Sequence, residues 1–168
     1  MFELKSLTPE GIPAALEKAH RYRLLNEPEQ AESICEDVLR VDTENQDALI
    51  GLILALTDRL HGPRPVPPER AQALLPRLRG EYERHYYAGI IDEREGIAWL
   101  RSGLPQSGPA AYVCFREAMQ HFEKAELIRP PANDDALLRW NTCARMIMTY
   151  PDVAPPREQH DTTAHLGD

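Results

Sequence analysis

The chain has 168 residues, of which 42% are hydrophobic and 27% charged, so it is long enough for one domain with a buried core. Its formal net charge of -8 excludes nucleic acid as an expected partner, because contacts to phosphates need a basic surface. No apolar run approaches the roughly 20 residues that a membrane-crossing helix needs, and the N-terminal residues lack the pattern of a secretory signal. We therefore expect no membrane partner.

The three cysteines, Cys35, Cys114 and Cys143, are far apart in the sequence and form no CxxC pair. An odd number of isolated cysteines is typical of reduced thiols rather than of a disulfide framework. We therefore expect a cytoplasmic protein.

The first third of the chain predicts three helices. Helix 1 begins between residues 9 and 13, where two prolines compete for the first turn, and ends at about residue 25. Helix 2 covers about 28–41. Thr43 and Gln46 then form a predicted capping box for helix 3, which covers about 44–60 and is apolar on every side at its centre.

Four more helices are predicted after the proline-rich segment 61–70. Helix 4 carries Ala71, Leu75 and Leu78, and Pro76 should kink it. Gly89 and Gly96 of helix 5 are seven residues apart and share one face, where a neighbouring helix can approach closely. The remaining predicted spans are about 81–102 for helix 5, from 109 to before 130 for helix 6, and about 134–150 for helix 7. Residues 1–150 are the predicted domain and 151–168 a polar, proline-rich tail without fixed structure.

One spacing recurs along the chain. Ala118, Phe122, Ala125 and Pro130 stand at offsets of 0, 4, 7 and 12, so the first three share one helical face and the proline ends the helix. The same offsets relate the set Ala31, Cys35, Val38 and Thr43, and the first three offsets relate the set Ala71, Leu75 and Leu78. This pattern resembles the second helix of a tetratricopeptide repeat running into the next repeat.

The resemblance implies an all-α fold, a right-handed stack of antiparallel helical hairpins with about three repeats and a closing helix. The anchoring alanines are separated by 40 and then 47 residues, against about 34 in the family, and the long loops and helix 5 account for the excess. The family uses the first helix of each pair to line a concave groove for an extended peptide or a partner helix. The groove residues implied here are His20, Arg23, Ile50, Leu54, Thr57, Asn141 and Arg145.

Helix 3 leaves two outcomes open. Leu49, Leu52, Ile53 and Leu56 follow the pattern of a buried face, so Ile50 and Leu54 point the other way. Either helix 5 covers these two residues or they form an apolar patch that binds a partner. A partner of this second kind is an amphipathic helix, an apolar peptide or, in a homodimer, a second copy of the chain.

No sequence motif predicts catalysis, a cofactor or a metal site. Asp92, Glu93 and Glu95 offer an acid and a base to an enzyme if they are buried in a cleft, but a solvated helix face with Arg94 as counter-charge is the expected arrangement. The pairs Glu81/His85 and Glu117/His121 have helical i,i+4 spacing and are expected to be surface pairs rather than metal ligands.

The basic side chains between the proline-rich segment and helix 5 have two interpretations. One interpretation is a docking surface for an acidic or phosphorylated peptide. The other, which we expect, is a solvated face of mixed charge. The residues are Arg64, Arg70, Arg77, Arg79 and Arg84. Taken together, the sequence predicts a non-enzymatic adaptor or scaffold that binds a protein or peptide. The alternatives are a structural homodimer through helix 3 and an enzyme using the acids of helix 5.

Overall fold

The computed structural model describes residues 1–157, which form seven α-helices and two 3-10 turns and contain no β-strand. The helices are α1 (Ile12–Leu24), α2 (Pro28–Val41), α3 (Gln46–Thr57), α4 (Glu69–Gln72), α5 (Glu81–Ser102), α6 (Ser107–Leu127) and α7 (Asp135–Thr149). The predicted all-α character and the number of main helices are confirmed.

Helix 1 begins within the predicted range of residues 9–13, whereas the cap of helix 3 differs from the prediction. A 3-10 turn, Pro9–Gly11, precedes α1, so Pro13 falls in the first turn of the helix, where its missing N–H costs no internal hydrogen bond. The predicted Thr43/Gln46 capping box is wrong. Asn45 caps α3 instead, because its side-chain oxygen accepts a 2.9 Å hydrogen bond from the backbone N–H of Ala48.

Helix 4 is broken rather than kinked. Its α-helical part is the single turn Glu69–Gln72, and the 3-10 turn Leu75–Arg77 follows. Pro76 lacks a backbone N–H and its ring clashes with the carbonyl group four residues earlier, which excludes a continuous helix here. Ala71 and Leu78 are nevertheless buried, so the segment keeps its apolar contacts with the core.

The loop after α3 is tied to α2 by ion pairs. Glu32, a buried acid of α2, binds the guanidinium groups of Arg59 and, at 2.7 Å, of Arg70. Arg64 in the same loop pairs with Glu29 at 2.7 Å. Two of the arginines expected on a solvated or peptide-binding face therefore hold the loop in place.

The helices pack mainly against their neighbours in the chain. The most extensive contact joins α5 and α6, and α1 packs on α2, α2 on α3, and α6 on α7. One core cluster lies among α1–α4 and a second among α5–α7. Tyr87 of α5 packs against both clusters, and α3 also contacts α1 and α5, so the two halves are joined through α3 and α5.

In the α5–α6 contact, two phenylalanine rings of α6 pack against two glycines of α5. A Cβ atom added at Gly89 would lie 2.6 Å from a ring carbon of Phe122, and one added at Gly96 would lie 2.8 Å from a ring carbon of Phe115. Both phenylalanines are fully buried. The prediction that the glycine face admits a close neighbour is confirmed.

The segment after α7 departs from the expected tail at its beginning. Val153 is only 3% exposed and belongs to the second core cluster. The backbone at Asp152 lies against Gly108, at the start of α6, where a side-chain Cβ would collide with it. We call residues 151–157 the C-terminal strap. The predicted tail 158–168 lies outside the described residues.

Replacing Phe122 by Ala should lower the free energy of unfolding by about 3–5 kcal/mol, because the ring fills the space that Gly89 leaves on α5. Urea denaturation followed by circular dichroism measures the change, and Phe2→Ala is the control, since Phe2 is fully exposed. A loss below about 1 kcal/mol for Phe122→Ala would contradict the burial of this ring.

Truncation after Tyr150 should lower Tm by roughly 3–12 °C relative to truncation after Arg157, since it removes the buried Val153 together with the rest of the strap. Both variants lack residues 158–168, so the comparison isolates the strap. Equal Tm values for the two variants in differential scanning calorimetry would show that the strap does not dock.

Candidate functional site

A cleft of about 210 Å³ opens between the C-terminal end of α1, the end of α3 and the C-terminal half of α5. We call it the arginine cleft. Its lining residues are Arg23, Leu24, Asn26, Thr57, Asp58, Leu60, His61, Arg94, Ile97, Ala98 and Arg101. Residues from three helices that are distant in sequence thus meet at one concave surface.

Helix α5 supplies one complete face to the arginine cleft. Arg94, Ile97, Ala98 and Arg101 follow the i, i+3, i+4, i+7 spacing, so they share one side of the helix. At 3.6 residues per turn, the two arginines lie about 140–160° around the helix from Gly96. The face that packs on α6 and the face that lines the cleft are therefore nearly opposite.

Helices α1 and α3 supply a neutral polar wall. The Nε–H of Arg23 donates a 2.7 Å hydrogen bond to Asp58, and the two side chains are only 17% and 19% exposed. The hydroxyl group of the buried Thr57 donates to the backbone carbonyl of Leu54 at 2.8 Å. Asp58 is thus already engaged, and it does not neutralise the arginines of α5.

Arg94 and Arg101, the two arginines of α5 that line the cleft, have no ion-pair partner among residues 1–157. The Nε atom of Arg94 is buried and finds no hydrogen-bond acceptor in the described part of the chain. Arg101 lies at the exposed rim. Two arginines without an ion-pair partner in the described chain therefore lie together at this cleft of a protein whose net charge is -8.

A second, larger cleft of about 540 Å³ adjoins the first. The two share Asn26, Asp58, His61 and Arg101, so they meet along one edge. The turn between α1 and α2 and the loop after α3 form its walls, and the ion pairs of Glu29 and Glu32 hold that loop. The combined surface has room for more than a single small group.

The seven residues predicted for the groove fall into three groups. Arg23 and Thr57 line the arginine cleft. Ile50 and Leu54 are half-buried and pack against the first and second core clusters respectively. The remaining three, which are not among the lining residues of the arginine cleft, are the exposed His20 and Arg145 and the half-buried Asn141.

Sequence reasoning missed Arg94, Arg101 and His61. Arg94 acts on Glu93 as the expected counter-charge, since it opposes the rise in the pKa of that carboxyl, but this interpretation does not place Arg94 in a cleft. The i,i+7 spacing of Arg94 and Arg101, on the side away from Gly89 and Gly96, is the signal that places both arginines on one free face. His61 belongs to an irregular loop, where no periodic pattern predicts its direction.

The expectation of a solvated acidic face on α5 is wrong for two of its three acids. Glu93 is 1% exposed and pairs with Arg139 of α7 at 3.4 Å; its burial raises the pKa of the carboxyl, against the opposing effects of Arg139 and Arg94. Burial, with the charges of Glu117 and Glu95, raises the pKa of Asp92 to about 7. Neither the half-buried Asp92 nor the buried Glu93 lines the arginine cleft.

Only one of the two predicted acid–histidine pairs forms. Glu81 lies 3.8 Å from His85 as a surface pair. His121 lies instead 3.7 Å from Asp92, across the α5–α6 contact. Burial, with the charges of Lys124 and His85, lowers the pKa of His121. Within residues 1–157, no three His, Cys, Asp or Glu side chains are grouped so that they could hold a metal ion.

The three cysteines are buried free thiols. Burial raises the pKa of Cys35 to about 11 and the pKa values of Cys114 and Cys143 to about 12, so the reactive thiolate is scarce at neutral pH. Cys35 is fully buried, facing Gly51 of α3, as predicted for a core residue.

Comparison with known proteins adds no assignment. No protein-family model, no curated protein and no solved structure matches the chain. Among residues 1–157, every helix is too short or too polar to cross a membrane. A proposal for the function therefore has to be argued from the residues that line the two clefts.

Replacing Asp92 by Asn should stabilise the protein more at pH 8 than at pH 5, by a difference of roughly 1–3 kcal/mol. The folded pKa, about 7, lies above the ordinary value of 3.8, so the folded state binds the proton more tightly. The contribution of Asp92 to the free energy of unfolding of the wild-type protein therefore falls as the pH rises from 3.8 to about 7. The Asn variant cannot ionise at this position, so it does not lose this stability.

Urea denaturation at both pH values measures this difference. The control is Glu17→Gln, which removes an exposed acid of α1. An Asn variant whose stability relative to wild type does not change with pH would show that Asp92 titrates as a solvated acid.

Proposed function

We propose that the protein is a non-enzymatic interaction module, an adaptor or scaffold that holds a peptide or helix of a protein partner in the arginine cleft and the cleft that adjoins it. We further propose that its helices form a degenerate stack of the tetratricopeptide-repeat type. Two features support the stack: consecutive helices pack as pairs, and the alternate helices α1, α3 and α5 contact one another in order. The same three helices line the arginine cleft.

The observation that carries the proposal is the chemistry of the lining. Two arginines without partners among residues 1–157 face a concave surface whose one acid, Asp58, is held by Arg23. Such a surface is suited to recognition by hydrogen bonds and charge. The described lining residues offer no serine, cysteine or threonine beside a free base, because the hydroxyl group of Thr57 is bonded to the backbone.

The dimensions of the two clefts favour a chain segment as the occupant. Pockets that bind small ligands have volumes of roughly 300 Å³ or more. The arginine cleft, at about 210 Å³, is smaller than this, and the adjoining cleft, at about 540 Å³, is larger. Because the clefts share an edge, an extended segment or one face of a helix can occupy both. A partner of this kind contacts residues of α1, α2, α3 and α5 at the same time.

The two alternative functions have weaker support. A homodimer through α3 needs an open apolar face, but Ile50 and Leu54 are half-buried against the cores. An enzyme using the acids of α5 needs them at a substrate cleft. Asp92 and Glu93 lie instead against α6 and α7, where they contact His121 and Arg139.

Affinity capture from native cell extract tests the proposal with three forms of the protein. Wild type and Arg21→Glu should retain the same partner, since Arg21 is an exposed residue of α1 whose one ion-pair partner among residues 1–157 is Glu17. Arg101→Glu should lose that partner, because it reverses the charge at the rim that both clefts share. Retention of the partner by folded Arg101→Glu would place the binding surface elsewhere and contradict the proposal.

A further inference from the structure

The buried Nε–H of Arg94 is a donor that lacks an acceptor within residues 1–157. An unpaired buried donor is destabilising, and a charged one more so, unless a bound group supplies the acceptor. Nε itself is closed to solvent, but Arg94 also lines the arginine cleft, so a ligand there meets the charge of its guanidinium group. Arg101, two turns further along the same face, adds a second guanidinium group.

The charge of the lining indicates how much negative charge the ligand carries. Among residues 1–157, the three arginines that line the cleft are accompanied by one lining acid, Asp58, so the lining itself carries two more positive than negative charges. Arg23 takes up the charge of Asp58, so the surplus belongs to Arg94 and Arg101. A ligand with two negative charges balances this pair.

We infer that the arginine cleft binds a phosphate monoester, carried on a phosphorylated serine or threonine of the partner segment. A phosphate monoester has close to two negative charges at neutral pH and three acceptor oxygens, so both guanidinium groups find partners. A carboxylate is satisfied by one bidentate arginine and leaves the other unpaired. The inference rests on the proposed function and names what the partner presents.

The adjoining cleft explains why the phosphate is attached to a chain. A free phosphate is small enough to fit within the arginine cleft, while the larger cleft begins at the shared residues Asn26, Asp58, His61 and Arg101. The lining of the larger cleft includes Pro28, Gly62 and Pro63 at its apolar parts. A residue next to the phosphorylated one can therefore rest there.

The test measures binding of three probes by NMR titration of the full chain. The probes are N-acetyl-phosphoserine methylamide, the corresponding aspartate derivative and inorganic phosphate. The phosphoserine probe should shift the Nε–H resonances of Arg94 and Arg101 and bind at least about 10-fold more tightly than the aspartate probe, since it engages one more charged donor. It should also bind more tightly than inorganic phosphate, because its backbone reaches the adjoining cleft.

Three variants assign the effect to the cleft. Arg94→Gln and Arg101→Gln should each weaken phosphoserine binding by about 10-fold or more, while Arg116→Gln, which removes an exposed arginine of α6, should not. Arg101 is exposed, so its variant keeps the test decisive even where Arg94→Gln fails to fold. Equal binding of the aspartate probe, equal binding of inorganic phosphate, or unchanged binding by Arg101→Gln would each overturn the inference.

Phosphatase treatment of the extract separates this inference from the proposed function. Capture of the partner by wild-type protein should be lost after the treatment. A partner that is retained after phosphatase treatment, yet lost with Arg101→Glu, would overturn the phosphate inference and leave the interaction module intact. Binding of the phosphoserine probe together with retention of the partner by Arg101→Glu would instead refute the proposed partner site.

Discussion

The contact between α5 and α6 is the constraint on which the site depends. Phe122 and Phe115 press against Gly89 and Gly96, and no other residue type at the glycine positions leaves room for the rings. This contact fixes the rotation of α5 about its own axis. Because Arg94 lies nearly opposite the glycines, the same contact turns it toward α1 and α3.

The fixed rotation of α5 also places its acidic and its basic side chains on different sides of the helix. Asp92 and Glu93 are enclosed beside α6 and α7, where His121 and Arg139 are their neighbours. Arg94 and Arg101 are left at the arginine cleft, where Asp58 is the one acid among the described lining residues. An acidic protein can therefore present a locally cationic cleft, and the net charge of the whole chain is a poor guide to the ligand of one surface.

Local patterns in the sequence predicted much of the fold but little of the site. The spacing of Ala118 and Phe122 and the glycine pair of α5 are periodic signals, and both gave buried contacts. The burial of Glu93 depends on Arg139, 46 residues away, and the docking of Val153 depends on the second core cluster, neither of which periodicity can reveal. The cleft likewise depends on three separate helices, so only Arg23 and Thr57 of the predicted groove residues line it.

Photo-crosslinking from the cleft tests the central claim most directly, namely that a partner segment lies where α1, α3 and α5 meet. A benzophenone amino acid replaces His61, an exposed residue that lines both clefts, and a control protein carries it at Gln120, an exposed position of α6. Irradiation with the captured partner should give a covalent adduct from position 61 and none from position 120. An adduct from position 120 alone would contradict the account.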